Sequence, residues 1–127
     1  MKKAKTRKKL IKECENMLRD ILKIERGERC EICKRSGNVG LFHILSKGSH
    51  PRLRFTQENI LLAHWFPCHN DWHHNYFKAR VIEKRIKELR GEDYEMKLKK
   101  LNVTAPRLSK FRIQLLYEAY KQILEQL

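Results

Sequence analysis

Between Thr6 and Glu25 apolar side chains recur at spacings of three and four, at Leu10, Ile11, Cys14, Leu18, Ile21 and Leu22. That is the period of an amphipathic helix, and Gly27 stands where it should end. From residue 28 to 62 the pattern changes. Gly37, Gly40, Gly48 and Pro51 break the helical period, Val39 to Leu45 reads as a short strand, and Leu53 to Phe55 and Ile60 to Leu62 read as further extended pieces. Pro67 suits the first turn of a helix carrying Cys68, His69 and His73 and running toward Gly91 through Val81, Ile82, Ile86 and Leu89. Asp93 to Leu101 predicts a short helix, and Thr104 with Pro106 predicts the start of a last one. Along that last helix Leu108, Phe111, Leu115, Ala119, Ile123 and Leu127 form the expected apolar stripe. The class is α+β: residues 1–27 form an arm and helix, 28–77 a small mixed core, and 78–127 a basic helical extension.

Charge narrows the function. A chain of 127 residues with 41% apolar side chains supports one modest core. Lys and Arg outnumber Asp and Glu by 29 to 15, a formal +14, which calls for a polyanionic partner such as DNA. Residues 1–12 contain Lys2, Lys3, Lys5, Arg7, Lys8, Lys9 and Lys12 and no acid. They read either as an arm that stays unfolded until phosphate neutralises it or as a solvated helix end. Lys47, Arg52 and Arg54 are further candidate DNA contacts. No apolar run reaches the roughly 18 residues of a membrane span, and the Lys-rich start lacks the apolar segment of a secretory signal, so the expected location is the cytosol, with no membrane partner.

In a reducing compartment the four cysteines read as metal ligands or buried thiols. Cys30-Glu-Ile-Cys33 is a knuckle that brings two thiolates to one tetrahedral ion. His64 and Cys68 supply the second pair of a Cys3His zinc site, with Cys14 or His69 as alternatives to His64. Cys14 itself lies on the apolar stripe of the first helix and reads as core. Four protein ligands leave no open position, so this zinc is expected to be structural.

All six histidines fall between His43 and His74. His43 sits in the predicted strand, where an imidazole titrating near neutrality can deprotonate water. His69 and His73 are four apart, on one face of a helix, and can hold one divalent ion; His74 is the alternative to His73. A base and a metal are the parts phosphodiester hydrolysis needs.

The order C-x-x-C, strand histidine, Leu53-Arg-Phe55 before Asn59, then Cys68-His69 and a further histidine resembles the HNH (ββα-metal) endonucleases, most closely the phage recombination nucleases of the NinG/Rap type. The resemblance covers most of the chain. It implies a zinc-stabilised ββα-metal core and cleavage of DNA, duplex or branched, in phage or mobile-element recombination. His43 would be the general base, Asn59 would pin the loop or help hold the metal, and His69 with His73 would ligate a catalytic Mg2+, Mn2+ or Zn2+. A phage protein would act in the host cytosol, and cutting both strands with one site per chain favours a homodimer. Three features depart from the family. Phe42 stands where many members place a metal ligand, so that ligand is absent or supplied by Asn59, His50 or water. The second zinc pair is His64 and Cys68, and His73 adjoins His74. A non-catalytic zinc-dependent DNA-binding module is the rival expectation. It leaves His43, Asn59, His69 and His73 without a task. A zinc-stabilised protein adaptor would not need the charge.

Overall fold

The periodic segment at the start forms α1 (Arg7–Arg26), and the six predicted core positions are all buried. The Thr6 hydroxyl accepts from the Lys9 amide at 3.2 Å and caps its first turn. Gly27, at φ +87°, closes it with its amide on the Lys23 carbonyl. The computed structural model describes residues 4–127, so Lys2 and Lys3 of the basic arm lie outside the described residues. Arg7, Lys8, Lys9 and Lys12 belong to α1, which corrects the expectation of an unfolded arm in favour of a solvated helix end.

Two strands follow, β1 (Val39–His43) and β2 (Ile60–His64), antiparallel, with His43 opposite Ile60 and Val39 opposite His64. The segment Leu53–Phe55 is not extended. Pro51–Leu53 forms a 3-10 turn, because proline at its start fixes a helical φ, and a second such turn, Gln57–Asn59, leads into β2. An irregular turn, Trp65–His69, with Phe66 extended inside it, then joins β2 to α2 (Asn70–His74). The helix expected to run unbroken to Gly91 stops at Asn75, whose backbone is extended and whose side chain accepts from the Lys78 amide at 3.1 Å. Asparagine offers the backbone this alternative partner, so it ends one helix and caps the next. That next helix is α3 (Tyr76–Arg90), followed by α4 (Tyr94–Thr104) and α5 (Lys110–Gln126). The last begins at the Ser109 cap, later than Thr104 and Pro106 suggested.

Helices from both ends of the chain join one core: α5 lies along α1 and the sheet packs beneath them. Ile113 and Tyr120 are the buried residues of α5, with Leu116, Tyr117 and Leu124 half-buried beside them. The predicted stripe is wrong here, since Phe111, Leu115, Ile123 and Leu127 are exposed. At about 100° per residue, positions spaced strictly by four drift about 40° per step and wind round the helix. Ile113, Leu116, Tyr117, Tyr120 and Leu124 keep the mixed spacing that holds one face. No helix among the described residues is long and apolar enough to cross a membrane.

Ile113 is 0% and Phe111 72% exposed, so their truncations should separate. Ile113→Ala should lower unfolding free energy by about 2–5 kcal/mol, and Phe111→Ala should change it by less than about 0.5 kcal/mol. Urea denaturation of both variants checks this, and the opposite ranking would contradict the packing of α5 on α1.

Candidate metal centre and histidine cluster

The Cys30–Cys33 segment turns back on itself: the Lys34 amide donates to the Cys30 carbonyl at 2.8 Å, with Lys34 at φ +67°. The Cys33 amide points at the Cys30 sulfur at 3.4 Å. Cys30 and Cys68 sulfurs lie 3.6 Å apart, and Cys33 Sγ lies 3.3 Å from His64 Nδ1. All four ligand atoms fall within 4.8 Å of one another. A tetrahedral zinc with bonds of about 2.3 Å to sulfur separates its sulfurs by roughly 3.8 Å, so Cys30, Cys33, His64 and Cys68 can hold such an ion. His64 is thus the fourth member of the group. Cys14, the alternative ligand, is buried with its thiol toward the Ile113 carbonyl and burial raising its pKa to about 11.

His64 is set for the role by its other nitrogen. Nε2 faces the Ser36 carbonyl at 3.3 Å, and a carbonyl only accepts, so Nε2 carries the hydrogen and Nδ1 presents its lone pair to the cysteines. Gly37, at φ +126°, passes close by; a Cβ there would lie 3.4 Å from His64 Nε2. Burial, reinforced by the Cys30 thiol, pushes Cys68 up to about 12. Burial acts upward on Cys33 too, but hydrogen bonds from Arg35 outweigh it and bring that thiol down to about 6. Three thiolates packed this closely need a cation among them.

The knuckle is also sewn to the sheet. The Glu31 amide donates to the Leu62 carbonyl at 2.7 Å and its carboxylate accepts from the Leu62 amide at 2.6 Å. Arg26 meets that carboxylate at 3.2 Å, and Arg85 donates to the Glu31 carbonyl at 2.8 Å. None of these residues stood out in the sequence, because each acts on a partner distant along the chain.

His43, the last residue of β1, donates from Nε2 to the Arg54 carbonyl at 2.8 Å, which leaves Nδ1 as the basic nitrogen. Burial lowers its pKa from 6.5, against the opposing pull of that carbonyl. Asn59 is fully buried and spent on the backbone: its Oδ1 accepts from the Leu45 amide at 2.8 Å, and its Nδ2 donates to the Leu45 carbonyl at 3.0 Å and the Leu53 carbonyl at 3.5 Å. It pins the loop after β1, with both Nδ2 hydrogens used and Oδ1 buried against the Leu45 amide. The family resemblance singled Asn59 out in the sequence, but its partners were not legible there.

His69 and His73 come together, ring centres 4.7 Å apart, with His74 6.2 Å beyond His73. Burial, followed by the neighbouring His73 and His43, lowers the pKa of His69. Phe42, on the face of β1 opposite His43, meets His69 edge-on at 5.5 Å and Trp72 at 5.9 Å. Among the described residues no third His, Cys, Asp or Glu joins the His69–His73 pair in a metal-sized group, and the same is true of His50. Two imidazoles suit Zn2+ or Mn2+ completed by water better than Mg2+, which prefers oxygen.

The predicted DNA contacts separate into two sets. Arg7, Lys8, Lys47 and Arg54 line one cleft of about 760 Å³ between α1 and β1, joined by Lys12 and Arg19 and by a single acid, Glu15. Glu15 bonds Lys47 at 3.0 Å and Arg54 at 3.7 Å. Gly40 and Leu41 of β1, three and two residues ahead of His43 in the strand, line the same cleft. Lys5 is engaged elsewhere, with Glu13 at 2.7 Å and the Tyr117 hydroxyl at 2.9 Å. Arg52 donates to the Ala105 carbonyl at 3.4 Å, and Lys9 lines a shallower neighbouring groove with Thr6 and Glu13.

No protein-family model, curated protein or solved structure matches the chain.

Protein prepared without chelator should carry about one zinc per chain. Cys30→Ser should lose that zinc and melt at a lower temperature, as read by metal analysis and thermal unfolding; a metal-free wild type, or a variant with unchanged melting, contradicts the site.

Proposed function

We propose that the chain is a metal-dependent DNA endonuclease of the HNH type, acting on phage or mobile-element DNA. The observation that carries this is His43: an imidazole with Nε2 committed to the Arg54 carbonyl, which leaves Nδ1 as the basic nitrogen, under the charges of Lys47, Glu15 and Arg54, three residues that line the basic cleft. The antiparallel pair β1–β2 followed by α2, with Asn59 holding the loop between the strands, is the order a ββα-metal core requires.

In the mechanism, Lys12, Arg19, Lys47 and Arg54 hold the DNA backbone along the cleft by phosphate contacts that carry no sequence information. His43 Nδ1 takes the proton from the attacking water, and the Arg54 carbonyl steadies the imidazolium that forms. His69 and His73 would hold the divalent ion; His69 lies near enough to His43 to feel its charge, and the ion's chemistry would be to neutralise charge on the scissile phosphate and the departing oxygen. Cleavage of both strands needs a second copy or a second encounter. Phe42 favours a second reading, a DNA-binding module without catalysis, because a buried phenyl ring stands against His69 where a further ligand would be needed.

Nicking of plasmid DNA with Mn2+, Zn2+ or Mg2+ added separates the two. His43→Ala should lower the rate on the order of 100-fold or more with zinc content and DNA affinity kept. A base works only when neutral. Since burial holds the His43 pKa below 6.5, wild-type rate should climb with pH through a point below 6.5 and be flat above it. A rising limb centred above 6.5, or a His43→Ala protein that cuts at the wild-type rate, removes His43 as the base.

The cleft has its own test. Glu15→Gln should free Lys47 and Arg54 for phosphate, tightening duplex binding and steepening the plot of log affinity against log salt by up to about 0.9 for each further phosphate neutralised. Weaker binding by that variant at every salt concentration would show that DNA does not run through this cleft.

A further inference from the structure

Outside the cleft, one unexplained surface is aromatic. Trp65 is 71% and Phe66 74% exposed on the turn after β2, and Tyr76 and Phe77 are 71% and 80% exposed at the start of α3. Exposed rings grouped at neighbouring positions mark an interaction surface. Trp65 is already one half of a stack: its ring lies 4.4 Å from His69 at 24°, and His69 in turn meets His73 edge-on. Its outer face is open. Zinc ligands His64 and Cys68 bracket this turn in the sequence, so the ring is presented from a fixed base.

Cations accompany the rings, with one further exposed apolar side chain, Val81, a turn after Phe77. Arg80 lies over Tyr76 at 5.8 Å, and Lys78, Arg80 and Lys84 are carried on α3. The acid of the same region, Asp71, is mostly buried and lies 3.8 Å from Lys78. Planar rings interleaved with positive charge fit a ligand that is itself planar and anionic, which is an unpaired nucleotide. A second copy of this chain would bring like charge to like charge, and an apolar protein surface would leave the cations without partners.

We propose that Trp65, backed by His69 and joined through α2 to the rings and cations at the start of α3, is a stacking platform for an unpaired base of the bound nucleic acid. The proposal rests on the endonuclease reading for its biological sense and deepens it: the preferred substrate carries single-stranded nucleotides beside the histidine pair, where a fully paired duplex offers no open base face.

The test needs no cleavage. Binding of a short oligothymidylate and of a duplex of equal length is measured without added divalent metal, for wild type, Trp65→Ala and Trp65→Phe, with zinc content as the control for folding. Stacking predicts that Trp65→Ala loses oligothymidylate affinity by about 5- to 100-fold, that Trp65→Phe recovers most of it, and that duplex affinity and the salt dependence for the single strand change little. Tryptophan fluorescence should be quenched by oligothymidylate in wild type and far less in Trp65→Ala, where Trp72 remains. Equal loss on both ligands, or no loss on the single strand, overturns the platform and leaves the endonuclease reading standing. A wild type that binds neither ligand overturns both. A dimer that Trp65→Ala converts to monomer overturns the platform in favour of self-association.

Discussion

Four side chains, Cys30, Cys33, His64 and Cys68, gather to one point, and the middle of the molecule depends on that convergence. They come from three places: the turn after α1, the last residue of β2, and the turn before α2. A two-stranded sheet is marginal by itself in water. Residues 28–38 add few buried side chains beyond Cys30. An ion shared by the knuckle and the end of β2 would supply the fixed point that apolar burial does not, and Glu31 with Arg26 and Arg85 extends the same seam by hydrogen bonds. The placement of the histidine pair follows from it. His69 is the neighbour of a ligand, Cys68, and Trp65 is the neighbour of another, His64.

A second device recurs in the molecule. At both His64 and His43 a backbone carbonyl takes the Nε2 hydrogen, Ser36 in one case and Arg54 in the other. The chain thereby selects the tautomer that turns Nδ1 to its task. For His64 the task is to complete a ligand set; for His43 the proposed task is to accept a proton. The loop that carries the Arg54 carbonyl is held in turn by Asn59, through three bonds to the Leu45 and Leu53 backbone. An asparagine that touches no reacting atom would in this way still set the direction of the base.

Much of this was legible where the signal is local. The buried face of α1, its end at Gly27, the knuckle spacing and the pairing of His69 with His73 all follow from neighbours within a few residues. What the sequence hid depends on partners far away. The true buried face of α5 is set by α1, and a four-residue spacing of large apolar residues concealed it. The break at Asn75 turns on whether a side chain caps a new helix or continues an old one, which the helical period on either side does not reveal. The basic cleft joins one face of α1 to Lys47 and Arg54 across the fold, so that Lys12 and Arg19 gain meaning only once the helix is laid against β1. Glu31, a polar residue inside a knuckle, gave no sign that it would extend the pairing of β2.

The claim on which the rest turns is that backbone carbonyls fix the two working imidazoles with Nδ1 free. Long-range proton–nitrogen NMR correlation of the histidine rings in the zinc-loaded protein measures it directly. At neutral pH His43 should appear as a neutral Nε2–H tautomer with an unprotonated, unligated Nδ1, and His64 as an Nε2–H ring whose Nδ1 carries the shift of a metal-bound nitrogen. A His43 ring protonated at Nδ1, or a His64 ring bound through Nε2 or not bound at all, would contradict the account.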